Sequence, residues 1–220
     1  MKFITISDTH GQHDKLILPP GDVLIHAGDV SKRGKEHEVK DFLRWFSSLD
    51  YKYKIFIAGN HDFLFEQYPD EKINALIPDN VIYLNDNGVR IEGIHIWGSP
   101  VSPWFFDWAF NRHRGAEIDK HWQLIPDDVH ILITHGPVYG VLDKTVRGQT
   151  VGCEMLLEKI KQLKPNVHIC GHIHEAYGQI EVDGTLFINA SVLDVDYVLR
   201  NEPVVFSVDF NAGDLEYRVF

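Results

Sequence analysis

Five apolar stretches of this 220-residue sequence stop abruptly at residues able to hold a metal ion or a phosphate. The segments are Asp8-Thr9-His10, Gly28-Asp29, Gly59-Asn60-His61-Asp62, Thr134-His135-Gly136 and Gly171-His172-Ile173-His174. Taken singly, each is an ordinary polar turn after a strand. Their repetition is what points to chemistry. Asp8 and His10 are two positions apart, as are His172 and His174, and residues so spaced on an extended backbone point the same way. Such pairs suit two ligands of one cation. The donors are oxygen and nitrogen without sulfur, a set that favours manganese, iron or zinc over a soft metal. No serine or cysteine stands out as a covalent nucleophile.

Strands must position these groups. Residues 3–6, 23–27, 54–58, 129–134 and 167–170 are short apolar runs of strand length, each directly followed by one of the polar segments. In open α/β sheets ligands bind beyond the carboxyl ends of the strands, where all five sets would lie. Val39, Phe42, Leu43 and Phe46 recur at helical spacing and predict a helix with one buried face. Leu156, Leu157, Ile160 and Leu163 predict another, stopped by Pro165. Residues 81–84 read as a strand that turns at Asn85-Asp86-Asn87-Gly88 and returns through 89–91. The strand at 94–97 carries His95, expected as a packed, hydrogen-bonded histidine; His130 reads as structural or exposed. Residues 179–182 and 185–188 form a hairpin about Asp183-Gly184. Two further strands, 204–210 and 215–220, flank Asn211-Ala212-Gly213-Asp214. These late strands suggest an antiparallel part of the fold.

Between the halves lies an aromatic loop. Residues 102–110 hold Trp104, Phe105, Phe106, Trp108 and Phe110, and Arg112 and Arg114 follow. Two readings stand: a satellite hydrophobic cluster, or a wall beside the site on which a nucleobase or aryl group stacks. Arg112 or Arg147 is a candidate for reaching a phosphate.

Composition sets the bounds. Hydrophobic residues make up 44% and charged residues 24%, as in globular proteins, and the length fits one domain. The formal charge of -11 argues against a basic surface that coats nucleic acid. Only two cysteines occur, Cys153 and Cys170, so a disulfide framework is not expected and a reducing compartment fits. The opening residues reach Asp8 too soon for a signal peptide, and no apolar run approaches the roughly 18 residues that span a bilayer. The expectation is a cytoplasmic protein without membrane association.

With these blocks in order, the sequence resembles the calcineurin-like metallophosphoesterase superfamily, whose pattern is D-x-H, G-D, G-N-H-D/E, a late histidine and G-H-x-H. Trp97-Gly98-Ser99-Pro100, the aromatic loop and Asn189-Ala190-Ser191 look like its subgroup of metallophosphoesterase-domain-containing phosphodiesterases first known from fetal brain. The resemblance implies one domain over 1–220, a four-layer α/β/β/α sandwich of two mixed sheets flanked by helices. It implies one metal on Asp8, His10, Asp29 and His174, and a second on Asn60, His135, His172 and the shared Asp29. His61 would face the substrate as acid or phosphate-binding group, with Asp62 orienting it and Asn60 beside it against the substrate.

Two divalent cations less the charges of Asp8 and Asp29 leave a centre of about +2, which attracts a phosphate despite the acidic chain. Metals about 3.5–4 Å apart can hold a bridging hydroxide and orient phosphoryl oxygens for in-line attack. The expectation is therefore a binuclear phosphodiesterase, with manganese first and iron or zinc as alternatives, acting on small phosphodiesters such as cyclic nucleotides. Alternatives are a phosphomonoesterase, a nuclease, or a non-catalytic metal-binding scaffold. The residues leave the physiological substrate and the oligomeric state open.

Overall fold

The computed structural model describes residues 1–211 and 214–220. In chain order the strands are β1 (Lys2–Ile6), β2 (Val23–Ala27), β3 (Tyr53–Ile57), β4 (Ile82–Leu84), β5 (Asn87–Ile91), β6 (Ile94–Ser99), β7 (Ser102–Pro103), β8 (Asn111–Arg112), β9 (Ile131–Thr134), β10 (Val167–Cys170), β11 (Gly178–Val182), β12 (Thr185–Asn189), β13 (Val204–Asn211) and β14 (Asp214–Val219). The helices are α1 (Glu36–Ser48), α2 (Phe63–Gln67), α3 (Asp70–Leu76), α4 (Ala116–Trp122) and α5 (Glu154–Leu163).

Two six-stranded sheets carry the fold, ordered β14-β13-β1-β2-β3-β4 and β11-β12-β10-β9-β6-β5. In the first, β1 to β4 run parallel while β13 pairs antiparallel to β1, and β14 to β13. In the second, β12, β10, β9 and β6 run parallel, with β11 and β5 antiparallel at the edges.

Strand alternation builds the layers. On β2, Val23, Ile25 and Ala27 share a core with Ile131 and Ile133 of β9 and Val167 and Ile169 of β10, so these faces meet between the sheets. Leu24 points the other way, into a core with Ile4, Ile6 and Phe56 and with Val39, Phe42, Leu43 and Phe46 of α1. On the second sheet Leu132 and Phe187 pack outward against Ile118 and Trp122 of α4 and Leu156 and Ile160 of α5. The order is helix, sheet, sheet, helix, as expected. Burial on both faces is why the central strands read as apolar runs without polar alternation.

Two details depart from the sequence reading. Residues 81–91 are not a hairpin: β4 closes the first sheet and β5 edges the second. The strand β5 begins at Asn87, inside the expected turn, and pairs with β6. The turn between them has Glu92 and Gly93 at φ 48 and 87, the left-handed pair that a tight hairpin needs. Helix α4 was not legible, because its seven residues bury only Ile118 and Trp122, too few to establish a period. Of the late strands, β11, β13 and β14 run antiparallel to their neighbours, as expected, while β12 runs parallel to β10; Ala212 and Gly213 of the expected turn lie outside the described residues. No helix among the described residues is long and apolar enough to cross a membrane.

Candidate metal centre

The parallel strands of both sheets end at one place. Asp8, Asp29 and Asn60 follow β1, β2 and β3; His135 and His172 follow β9 and β10. The backbone there is sharply bent. Asp8, His10, Asp29 and His172 have φ of 55, 42, 56 and 69, a left-handed region costing of order 1–3 kcal/mol for a non-glycine residue. Cross-connections hold the bends: Asp8 N–H donates to the Gly28 carbonyl at 2.9 Å, His10 N–H to that of Asp29 at 3.0 Å, and Gly171 N–H to that of His135 at 3.0 Å. Gly59 and Gly171 are required for close approach. A Cβ on Gly59 would meet Asp29 Oδ1 at 2.3 Å, and one on Gly171 would meet Asp8 Oδ2 at 2.1 Å.

The donors fall into groups joined by one carboxylate. Asp8, His10 and His174 form one cluster, Asp29, His135 and His172 another, each with its ligand atoms within 4.8 Å of one another. Asp29 belongs to both sides. Its Oδ1 accepts the His61 backbone N–H at 2.8 Å. Its Oδ2 faces His10 Nε2 at 3.6 Å and His135 Nε2 at 3.4 Å. Across the first cluster, His174 Nε2 stands 3.4 Å from Asp8 Oδ1. On the other side Asn60 Oδ1 lies 2.9 Å from His135 Nε2.

These residues fit cations. Two donors each about 2.1 Å from one ion stand about 3.0–4.2 Å apart, depending on the angle between them, and the separations across Asp29 and Asp8 fall in that range. Both ring nitrogens of His10 are buried without a hydrogen-bond partner, a costly arrangement unless an ion takes one of them. The far nitrogens of His135 and His174 engage the carbonyls of Ala27 and Asp194 at 3.0 Å each, which turns both Nε2 atoms inward. Asp8 is held by Ser191 Oγ, which donates to Oδ2 at 2.7 Å, and by the His172 N–H.

The electrostatics follow. Burial would raise the Asp8 and Asp29 carboxyls, yet the surrounding imidazoles hold both below the usual range. Burial opposes a charge on His135 and His174, but Asp29 and Asp8 respectively outweigh it and raise each to about 9. Burial lowers His10 to about 4 against the pull of Asp29 and Asp8, and lowers His172 to about 3. The metal-free centre thus stores protons on the histidines that face a carboxylate most closely.

His61 stands at the edge of this cluster. Its Nδ1 lies 2.8 Å from the Lys32 carbonyl, and Trp108 stacks on its ring at 4.3 Å between centroids. These contacts orient the imidazole. Asp62, expected to do so, is fully buried and turned elsewhere. Its carboxylate accepts from the N–H groups of Val30, Ser31 and Gly59 and from Ser31 Oγ at 2.6 Å. It ties the loops after β2 and β3 together, and burial with the neighbouring Asp29 charge raises it to about 6.

A cleft of about 370 Å³ opens over the donors. Phe105, Trp108, Arg33 and Tyr197 complete its walls. The aromatic loop therefore does both things its sequence allowed: Phe110 joins the core beside α1, while Trp108 and Phe105 line the cleft. Arg33, whose guanidinium lies 5.2 Å over the Trp108 ring, is the arginine at the cleft. Arg112 pairs with Glu66 at 3.0 Å instead, and exposed Arg147 is not among the lining residues. Tyr197, whose ring is 4.9 Å from that of His10, was not legible, because it lies in a loop with no motif around it. Two buried histidines were also missed: His26 Nε2 meets Thr9 Oγ1 at 2.9 Å, and His168 Nε2 meets Thr134 Oγ1 at 2.8 Å. Each braces the threonine next to a donor. His95, half-buried, faces Asp128 at 2.9 Å, which agrees with a hydrogen-bonded packing role.

Comparison with known proteins gives a family. Residues 1–176 match Metallophos, the calcineurin-like phosphoesterases. The chain is 42% identical over 230 aligned positions to Metallophosphoesterase domain-containing protein 1 of Homo sapiens, covering 94% of this chain and 71% of that protein. It is 25% identical to a probable glycerophosphodiester phosphodiesterase, GpdQ, of Arcobacter nitrofigilis, over 74% of this chain and 60% of that one. The crystal structure of the phosphopantetheinyl hydrolase PptH from Mycobacterium tuberculosis has the same fold at 16% identity, with a TM-score of 0.61 over 87% of this chain and 89% of that one. With its strand-end donors gathered about Asp29 and a family match over most of its length, the chain belongs to the calcineurin-like phosphoesterases, metal-dependent hydrolases of phosphate esters.

Proposed function

We propose that the protein is a binuclear phosphodiesterase for small phosphodiesters, cyclic nucleotides among them, formed as one domain over residues 1–220 and working with manganese, or with iron or zinc. The observation that carries this reading is the single oxygen of Asp29, Oδ2, which faces His10 on one side and His135 on the other. In this assignment Asp8, His10, Asp29 and His174 hold one cation, and Asn60, His135, His172 and Asp29 hold the other. When bound, the cations supply positive charge for the phosphoryl oxygens and an activated water. The chain's own residues do the rest. Asn60 and His61 reach the substrate from the cleft wall. The Lys32 carbonyl at Nδ1 leaves Nε2 of His61 to donate to, or protonate, the departing ester oxygen. Trp108 and Phe105 exclude water from one flank of the cleft and offer a stacking face. Diester specificity is supported by the name of the 25% identical relative, a probable glycerophosphodiester phosphodiesterase. Buried, unpaired Cys153 and Cys170 suit a reducing, cytoplasmic location.

The test is turnover of an aryl phosphodiester by protein loaded with manganese, abolished by chelator. His61→Ala should lower kcat about 100-fold or more while two metals per chain remain bound. Absence of turnover in a fully loaded sample would sink the reading. Faster release of phosphate from monoesters than cleavage of diesters would move it to a phosphomonoesterase, and preference for single-stranded DNA to a nuclease.

A further inference from the structure

Beside the metal cleft lies a second, larger cavity of about 550 Å³. The two share Phe105 and His172, whose rings meet edge to face at 5.1 Å. Pro103, Trp104, Phe105 and Phe106 line it in succession, and Pro137 and Val151 line it too. His61 lines the cleft but not this cavity.

Its chemistry is selective. Arg114 is the cation among the described lining residues, and it is already engaged by the Gly152 and Val151 carbonyls, at 2.7 and 2.6 Å, and by Glu154. The Glu175 carboxylate takes the Val146 N–H at 2.7 Å. Among the described lining residues no lysine or arginine stands without an acidic partner. The aromatic wall, in contrast, is held ready. Trp104 donates from Nε1 to Asp107 at 2.9 Å and stacks on His113 at 5.5 Å. Phe106 and Asp107 both have left-handed φ, 48 and 52, and the Phe106 ring is 84% exposed. Two adjacent strained residues that hold a phenylalanine in water are a cost to folding, of the kind found at ligand clamps. An apolar guest in this cavity would cover the ring and offset that cost.

We propose that this cavity binds an uncharged apolar or aromatic ester group of the substrate, the one remote from His61, so that the enzyme selects phosphodiesters carrying such a group. The proposal rests on the phosphodiesterase reading of the adjoining cleft. A monoester has no group to place here, and a polynucleotide would bring a charged phosphate.

The experiment compares phenyl 4-nitrophenyl phosphate with methyl 4-nitrophenyl phosphate as substrates of the manganese-loaded full chain. In parallel, calorimetry compares binding of diphenyl and dimethyl phosphate. The wild type should favour the phenyl ester about tenfold or more in kcat/KM, with the same order in Kd. Phe106→Asn suits the left-handed backbone and removes only an exposed ring; combined with Trp104→Ala it should bring both ratios to within about twofold. Equal turnover and equal binding of the two kinds of diester would overturn the cavity assignment and leave the phosphodiesterase reading standing. Preferential binding of diphenyl phosphate that the variants erase, without turnover of either ester, would keep the cavity and discard the catalytic reading. A wild-type preference that survives both substitutions would place the apolar group elsewhere and overturn the proposal.

Discussion

Asp29 divides its two oxygens between different tasks. Oδ1 holds the His61 backbone and Oδ2 faces a donor from each cluster. Asp29→Asn should therefore weaken both metals together, whereas His135→Ala should empty chiefly the site it shares with Asn60 and His172. Metal analysis after dialysis decides this: two metals retained at full activity in Asp29→Asn would refute the shared role. Asp62 calls for a different measurement. Its carboxylate satisfies four buried donors on two loops, and each buried donor left unpaired costs about 1–3 kcal/mol. Asp62→Ala should lower the stability of metal-free protein by about 3 kcal/mol or more, read from its urea midpoint. An unchanged midpoint with lost activity would instead assign Asp62 to His61. The family resemblance implied the pairing, but the Asp62 carboxylate is taken up by the N–H groups of Val30, Ser31 and Gly59 and by Ser31 Oγ.

At the scale of elements, the strand ends work because loops can approach one another where glycine stands. Gly171 carries no positive φ, so its role is space alone: a Cβ there meets Asp8 Oδ2 and Ser7 Oγ, both at 2.1 Å. Gly171→Ala should cost about 1–3 kcal/mol by overpacking and reduce binding of the cation at Asp8 more than that at His135. Titration of each site by calorimetry tests this, and equal loss at both would argue against a local clash. The helix α1 was legible because Val39, Phe42, Leu43 and Phe46 recur within its thirteen residues, enough turns for a period to emerge. The five motif strands were legible for a related reason, since each is a mainly apolar run that ends in polar residues. The partnering of strands was not. Residues 81–91 looked like a hairpin because two short apolar runs flank a turn sequence, but Leu84 belongs to one sheet and Ile91 to the edge of the other. Local sequence holds no record of which sheet a strand joins.

Over the whole molecule, the acidic chain surrounds a centre whose protonation opposes metal binding. In metal-free protein His135 and His174 are raised from 6.5 to about 9. Their stabilisation is complete below pH 6.5 and fades as pH rises through about 9. His10 and His172 are lowered from 6.5 to about 4 and about 3. Their contribution is present above pH 6.5 and is lost as pH falls toward those values. Metal-free stability should therefore be greatest near neutrality and decline on both sides. Metal affinity should climb from pH 7 to pH 9, because a cation at His135 and His174 must displace their protons. Thermal unfolding of chelator-treated protein at pH 5, 7 and 9 checks the first statement. Calorimetry in buffers of different ionisation enthalpy checks the second; metal uptake without proton release at pH 7 would contradict it.

The sequence by itself determined the donor inventory and the strands that carry it, and through them the family resemblance that implied the layers. The donors and strands are local or periodic: a D-x-H pair, a glycine before a carboxylate, an apolar run of strand length. Tertiary structure decided which atoms meet. Ser191 reaches Asp8 from 183 positions away, and Tyr197 comes against His10 from the loop between β12 and β13. Arg33, rather than Arg112 or Arg147, comes to the cleft because Trp108 gives its guanidinium a face to lie on. Asp62 turns inward because four donors from two converging loops would otherwise be buried unpaired. Such contacts depend on how two sheets pack face to face, and that geometry is set by the summed burial of both cores rather than by any one segment.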